Sequence, residues 1–240
     1  MKKVKKIPQI IVIFIIAITV LPQLVGKQWL SSSITESGEK INASIWSALN
    51  NSTQEASEVV VEFDNNKPNF SSEDLSLENG YWQEFSELDQ LNRVGVANAM
   101  LHKDFMPTAA RESIKHIHPT GWKQKKMESG EMLYNRSHLI AFRFTGENDN
   151  WQNLLTGTEQ FNQEYMTIYE EKVAEYLKET DNHVRYRVTP HFLENELVAR
   201  SVQIEAQSIE DSAISFNVII YNVQDNYEIN YSDGSSKKVN

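Results

Sequence analysis

The sequence predicts an α+β protein. Two observations carry this: the folded region opens with the order helix, strand, long helix, and three stretches of alternating apolar and polar residues follow it, a pattern that suits antiparallel strands rather than βαβ units. No internal repeat is visible along the 240 residues. A hydrophobic fraction of 40% with 10% aromatic residues is enough to build a core, and 9 Gly with 6 Pro excludes collagen-like and generally disordered classes.

Met1 to Lys6 is a short basic head, and Ile10 to Leu21 is an aliphatic run broken by Thr19. This is the layout of a secretory signal or of an uncleaved signal anchor, and residues 1–30 are assigned to it. No small-x-small cleavage site follows Val25, which favours a retained anchor with the basic head in the cytoplasm and the domain outside. Residues 31–79 are rich in Ser, Asn and Glu and read as a polar tether containing one strand-like stretch, Val59 to Phe63. The main domain is expected over 80–240.

Within it, Trp82, Phe85, Leu88, Leu91 and Val94 recur at helical spacing and predict an amphipathic helix from about Tyr81 to Leu101. Pro107 and Pro119-Thr-Gly-Trp122 mark turns. Met132 to Phe144 is rich in strand formers, and Glu147 to Asn150 reads as a loop. Thr158 precedes a long helical pattern through Phe161, Tyr165, Ile168, Val173 and Leu177, ending near Thr180. Strands are expected at His183 to Phe192, Leu197 to Ala206 and Ile214 to Val223.

The chain has no cysteine, which removes disulfides, zinc-thiolate sites, iron–sulfur clusters and thiol nucleophiles. Its net charge of −10 taken as a whole argues against a polyanionic partner, but the charge is unevenly spread. Residues 31–92 hold 2 basic and 12 acidic side chains, residues 93–143 hold 9 and 4, and residues 144–240 hold 7 and 17. A basic middle between acidic flanks can steer a polyanion to one place.

That middle contains Asn135-Arg136-Ser137-His138, four successive polar residues inside an apolar strand, which need partners. Asn153 follows at the loop-to-helix junction, and Asn162 and Glu170 lie eight positions apart on the long helix. A strand histidine facing Asn and Glu is suited to a hard, oxygen-ligated cation and a general base; spacing alone equally allows an internally satisfied polar cluster. His116 and His118 are metal-pair candidates or solvated surface, and Lys123, Lys125 and Lys126 form a basic patch. Arg185 and Arg187 share one side of a strand, where they would either line a nucleic-acid groove or pair with acids.

The stretches Tyr134-Asn-Arg-Ser-His-Leu-Ile140, Asn153-Leu-Leu-Thr-Gly-Thr158 and Phe161-Asn162 resemble the DNA/RNA non-specific endonuclease family of ββα-metal nucleases, most closely its secreted or membrane-anchored streptococcal-type members. Leu88-Asp89, Leu91-Asn-Arg93, Met106-Pro107, Pro119-Thr-Gly-Trp122, Tyr169-Glu170 and Val184 to Thr189 extend the likeness over most of residues 80 to 223. The resemblance implies a ββα-metal finger core packed on a mainly antiparallel sheet with flanking helices. It implies an Mg²⁺-dependent endonuclease, with Mn²⁺ as a substitute ion, that cleaves DNA and RNA through backbone contacts and leaves 5′-phosphate ends. His138 would be the general base and Asn153 the direct ligand of Mg²⁺. Arg136 would contact phosphate, and Asn162 and Glu170 would support the ion's water shell. Asn135 and Arg93 are further candidates for substrate contact, with Arg185 and Arg187.

The family's Asp-Arg-Gly-His signature is altered at two positions, with Asn135 for Asp and Ser137 for Gly. The Asn135 change is expected to matter if that side chain lies beside His138, because a neutral amide raises a histidine's pKa less than a carboxylate does. Two other readings follow from these features: a DNA-binding or DNA-receptor protein with a decayed site, and a secreted toxin, which would call for a cognate protein inhibitor.

Overall fold

The computed structural model describes residues 59–239. The N-terminal targeting segment and the tether up to residue 58 lie outside the described residues. Among the described residues, no helix is long and apolar enough to cross a membrane.

The main body is a six-stranded antiparallel sheet. In chain order its strands are β1 (Val60–Glu62), β2 (Trp82–Phe85), β3 (Ala97–Leu101), β6 (Val184–His191), β7 (Ser201–Ser208) and β8 (Ser215–Tyr221), arranged β1-β8-β7-β6-β3-β2. Two hairpins stand apart, β4 (Tyr134–His138) with β5 (Leu154–Thr158), and β9 (Tyr227–Ile229) with β10 (Ser236–Lys238). A short helix α1 (Phe142–Thr145) follows β4, and a π turn (Phe161–Met166) runs straight into the helix α2 (Thr167–Glu179). The α+β expectation holds, with the ββα unit supplied by β4, β5 and the π turn with α2.

The three C-terminal strands fall close to their expected places because alternation there is a direct record of burial. Val184, Tyr186 and Val188 turn into the core with Val202, Ile204 and Ala206 and with Phe216, Val218 and Ile220, and all nine are essentially inaccessible. Met166, Glu170, Val173, Ala174 and Leu177 form the buried stripe of the π turn and α2. Four of these are the apolar residues expected of such a stripe. Glu170 is a carboxylate in a core position.

Two expectations are corrected. The helix predicted over 81–101 is instead the hairpin β2–β3, with Trp82 opposite Met100 and Phe85 opposite Ala97. The i+3 spacing is overruled by a local turn: the Asp89 carboxylate accepts from the backbone N–H of Leu91 and of Arg93, both at 2.9 Å, and Asn92 takes a φ of 60°. Gly95 then passes so close to Ser86 that a Cβ would lie 2.6 Å from the serine Cβ. β3 pairs on both edges, with β2 and β6, which a helix could not do. The second correction concerns the boundary at 80. Val60–Glu62 pairs with Val218–Ile220 at the sheet edge, and residues 67 to 74 lie across the sheet, so the end of the supposed tether belongs to the folded body.

Candidate active site

β4 and β5 pair without a bulge, from Tyr134 opposite Thr158 to His138 opposite Leu154. A regular strand sends alternate side chains to opposite faces. Arg136 and His138 therefore share one face, and both line a cavity of about 270 Å³ whose other walls include Arg111, Arg143, Asn162 and Glu170. Asn135 and Ser137 take the other face. Neither lines the cavity, and Asn135 lies on the opposite face of the strand from His138, so it does not stand beside the ring.

Ser137 packs instead against the hairpin's own interior. A Cβ on Gly157 would collide with the Ser137 hydroxyl and come within 2.7 Å of the Phe161 ring. Glycine at 157 thus makes room for serine at 137. The Ser137 hydroxyl is fully buried and has no hydrogen-bond partner.

The His138 ring is held at both nitrogens. Nε2 lies 2.8 Å from the Asn148 carbonyl and must donate to it, since a carbonyl can only accept. Nδ1 then carries the lone pair and accepts from Arg111 Nη2 at 3.2 Å. Burial lowers the His138 pKa to about 4, with the Arg111 charge adding to the fall and the Asn148 bond opposing it. The imidazole is neutral at physiological pH, with the basic nitrogen facing the cationic wall of the cavity.

Arg136 reaches along the same wall. Its Nε donates to the Ile117 carbonyl, its Nη2 to the Lys115 carbonyl at 2.7 Å, and its guanidinium lies 4.2 Å from the centre of the Trp122 ring. It therefore fixes the 115–117 loop while remaining exposed to the cavity. Glu170 enters from α2, 3.8 Å from Arg143, and burial pushes its pKa up to about 7 against the pull of Arg143 and Arg111. On an ideal α-helix, positions eight apart point about 80° apart. The π turn, which rotates less per residue, closes part of that gap and brings Asn162 to the cavity with Glu170.

The structure places Asn153 elsewhere. It is fully buried, its Oδ1 accepts from the Ile140 N–H at 2.8 Å, and its Nδ2 donates to the Ile140 carbonyl at 2.9 Å. Both ends of the amide are thus committed to backbone. Together with the Leu139 N–H to Asn153 carbonyl bond, they extend the β4–β5 ladder past His138. Asn153 is held inside the hairpin, and Asn162 is the amide that lines the cavity.

The three arginines expected to meet substrate are also internal. Arg93 binds the Asp89 carboxylate at 2.7 Å and the Glu194 and Glu196 carbonyls. Arg185 bonds to Asn98, Ala99 and Asp74, and Arg187 to Glu205 and Asn69, with both guanidinium groups over the Phe70 ring. They do share a side of β6, but it is the sheet face that residues 69 to 74 cover. The pairing alternative holds for them. His116 is exposed, 3.7 Å from Asp149, and no group of three His, Asp or Glu suited to a metal occurs among the described residues. Arg111 was not singled out by sequence; it lies in an irregular loop whose path alone brings it to His138.

A β-hairpin and helix that gather a neutral histidine, an amide, a buried carboxylate and three arginines around one cavity define a site of the ββα-metal nuclease class. Residues 75–210 match the DNA/RNA non-specific endonuclease family model, and the chain belongs to that family. The structure is similar to that of NucA from Streptococcus agalactiae with magnesium bound, at 26% identity and a TM-score of 0.67, covering 75% of this chain and 88% of that one. It is also similar to Sda1 nuclease with bound zinc, at 25% identity and a TM-score of 0.56, covering 64% and 80%. A curated deoxyribonuclease of Streptococcus dysgalactiae subsp. equisimilis is 35% identical over 120 residues, which is 48% of this chain and only 36% of that relative's length.

Proposed function

We propose that this protein is a sugar-non-specific endonuclease that hydrolyses DNA and RNA phosphodiesters with Mg²⁺, His138 acting as general base. The observation that carries the reading is the cavity itself: a neutral imidazole, its Nδ1 lone pair turned inward, beside Arg111, Arg136, Arg143, Asn162 and Glu170.

The donors present fit a hard cation. Glu170 is a buried carboxylate with a raised pKa and no cation closer than Arg143 at 3.8 Å among the described residues, and the Asn162 amide faces the same space. We assign Asn162 as the direct ligand, with Glu170 ordering water around the ion; one amide and few protein ligands suit Mg²⁺, which keeps much of its water. Mn²⁺ would substitute. Bound there, the ion supplies charge stabilisation for the phosphate and the departing oxygen.

The chain's own residues do the rest. Arg111, Arg136 and Arg143 attract and orient the phosphate by charge and by fixed N–H groups. Phosphate drawing Arg111 away from His138 exposes Nδ1, which takes a proton from water as that water attacks phosphorus. The Asn148 carbonyl holds the ring and stabilises the imidazolium that forms. The P–O3′ bond breaks, the departing oxygen takes a proton from solvent water, and a 3′-hydroxyl and a 5′-phosphate are left. Contacts to phosphate carry no base information, which accounts for a lack of sequence preference.

The Asn135 and Ser137 departures lie on the face away from the cavity, which supports activity over a decayed site. The basic head and apolar run of residues 1–30 support action outside the cell, secreted or on the extracellular face of the membrane. A toxin role would add an inhibitor protein as a partner. Incubating plasmid and total RNA with the protein in Mg²⁺ and then in EDTA tests the proposal: cleavage in the first and none in the second is expected, and no cleavage in Mg²⁺ or Mn²⁺ overturns it.

A further inference from the structure

A second concavity, about 380 Å³, opens beside the site just described and is built differently from it. Leu88, Val94, Pro119 and Leu154 form its walls, and no charged side chain lines it. His118 and Trp151 stand at its rim, and Trp151 leaves 49% of its surface exposed. A large aromatic ring on a loop, half out of any core and facing an apolar cleft, has surface to offer a flat partner.

Two short stretches of chain link the residues of the cleft to those of the cavity. The loop that carries Trp151 starts at Asn148, whose carbonyl accepts from His138, and ends at Leu154, the strand partner of His138. His118, also in the lining, follows Ile117, whose carbonyl accepts from Arg136. Residues of the cleft are therefore neighbours of residues bonded or paired to His138 and Arg136, which line the cavity, so the cleft lies next to it.

Resting on the nuclease reading, we propose that this cleft is a nucleobase subsite, in which the base flanking the scissile phosphate stacks on Trp151 and inserts among Leu88, Val94, Pro119 and Leu154. A stack suits a non-specific enzyme, because every base has a π-face and none is selected by hydrogen bonding. Asn92, exposed at the rim, and Thr120 are the polar groups near the base edge. The subsite takes an unpaired or splayed base, so it favours single strands and distorted duplexes over regular B-form DNA.

The test is binding of a 5′-labelled single-stranded oligonucleotide to the full chain in EDTA, where no cleavage occurs, beside an oligomer of equal length and charge whose sugars lack bases. Wild type is expected to bind the base-bearing strand at least about fivefold more tightly than the abasic one, the range of one base–aromatic stack. Trp151→Ala should abolish most of that difference by weakening only the base-bearing complex, and Trp151→Phe should keep most of it. Equal affinity of wild type for the two oligomers overturns the subsite, whatever the variants do, as does equal loss on both oligomers in Trp151→Ala. Plasmid cleavage in Mg²⁺ is scored separately. Base-dependent binding without cleavage would fail the nuclease reading alone, and cleavage without base-dependent binding would fail the subsite alone.

Discussion

Replacing Asn153 by alanine separates a metal ligand from a structural amide. In the structure this side chain exchanges two hydrogen bonds with the backbone of Ile140, at 2.8 and 2.9 Å, in a place where both residues are fully buried. Alanine leaves one buried N–H and one buried carbonyl unpaired, each costing about 1–3 kcal/mol. The expected destabilisation is therefore roughly 2–6 kcal/mol, a large part of the roughly 5–15 kcal/mol by which domains are stable. For a body of this size that is a fall in Tm of roughly 4–24 °C. Asn162→Ala should behave in the opposite way, because its side chain faces a cavity: nearly unchanged Tm, with a higher Mg²⁺ concentration for half-maximal cleavage and a lower maximal rate. Thermal unfolding by circular dichroism and Mg²⁺ titrations of plasmid cleavage, run below the Tm of each variant, measure the two effects. An Asn153→Ala protein with wild-type Tm and a raised Mg²⁺ requirement would refute the reasoning and restore Asn153 as ligand.

His138→Ala should lower cleavage about 10²–10⁴-fold while the far-ultraviolet spectrum is kept, and imidazole added to His138→Gly should return part of the activity; wild-type turnover in His138→Ala would remove it as base. Arg111→Met removes a positive neighbour, so the His138 pKa should rise and the acidic limb of the single-turnover pH–rate profile should move to higher pH, whereas an unmoved limb would show that burial alone sets it. Asn135→Asp should leave that limb where it is, since residue 135 faces away from the ring. Ser137→Ala removes a buried hydroxyl without a partner and should raise stability by about 1 kcal/mol or more in denaturant melts; Gly157→Ala, which drives a Cβ into Ser137 and Phe161, should lower it by about 1–3 kcal/mol. Burial holds both His138 and His191 down to about 4, against about 6.5 when unfolded. Their contribution is whole above pH 6.5 and is lost as pH falls toward 4, and the denaturant midpoint should drop across that window, less steeply in His191→Leu.

Residues with one obligatory environment were legible in the sequence. Strands β6, β7 and β8 show their inner faces through alternation, since half of each strand is pressed into the core. The polar run at 135–138 stands out because unpaired polar groups are costly inside an apolar strand. The helix after Thr158 carries its buried stripe, and the likeness to a nuclease family rests on side chains adjacent in the chain.

What the sequence could not decide is where side chains go once distant segments meet. Residues 82–94 have helical spacing, but the Asp89 turn and pairing of β3 on both edges make a hairpin, and such pairing is a non-local energy that a local window does not contain. Asn153 and Asn162 are the same residue type nine positions apart, in two successive matched stretches; only the Ile140 backbone, thirteen residues from Asn153 and brought beside it by the hairpin, takes one amide and leaves the other to the cavity. Arg185 and Arg187 look like groove residues until residues 69 to 74 cover their face of the sheet. Arg111 carries no periodic or motif signal at all, because a loop residue's place depends on the path of the backbone, and that path is set by what the rest of the fold packs against it.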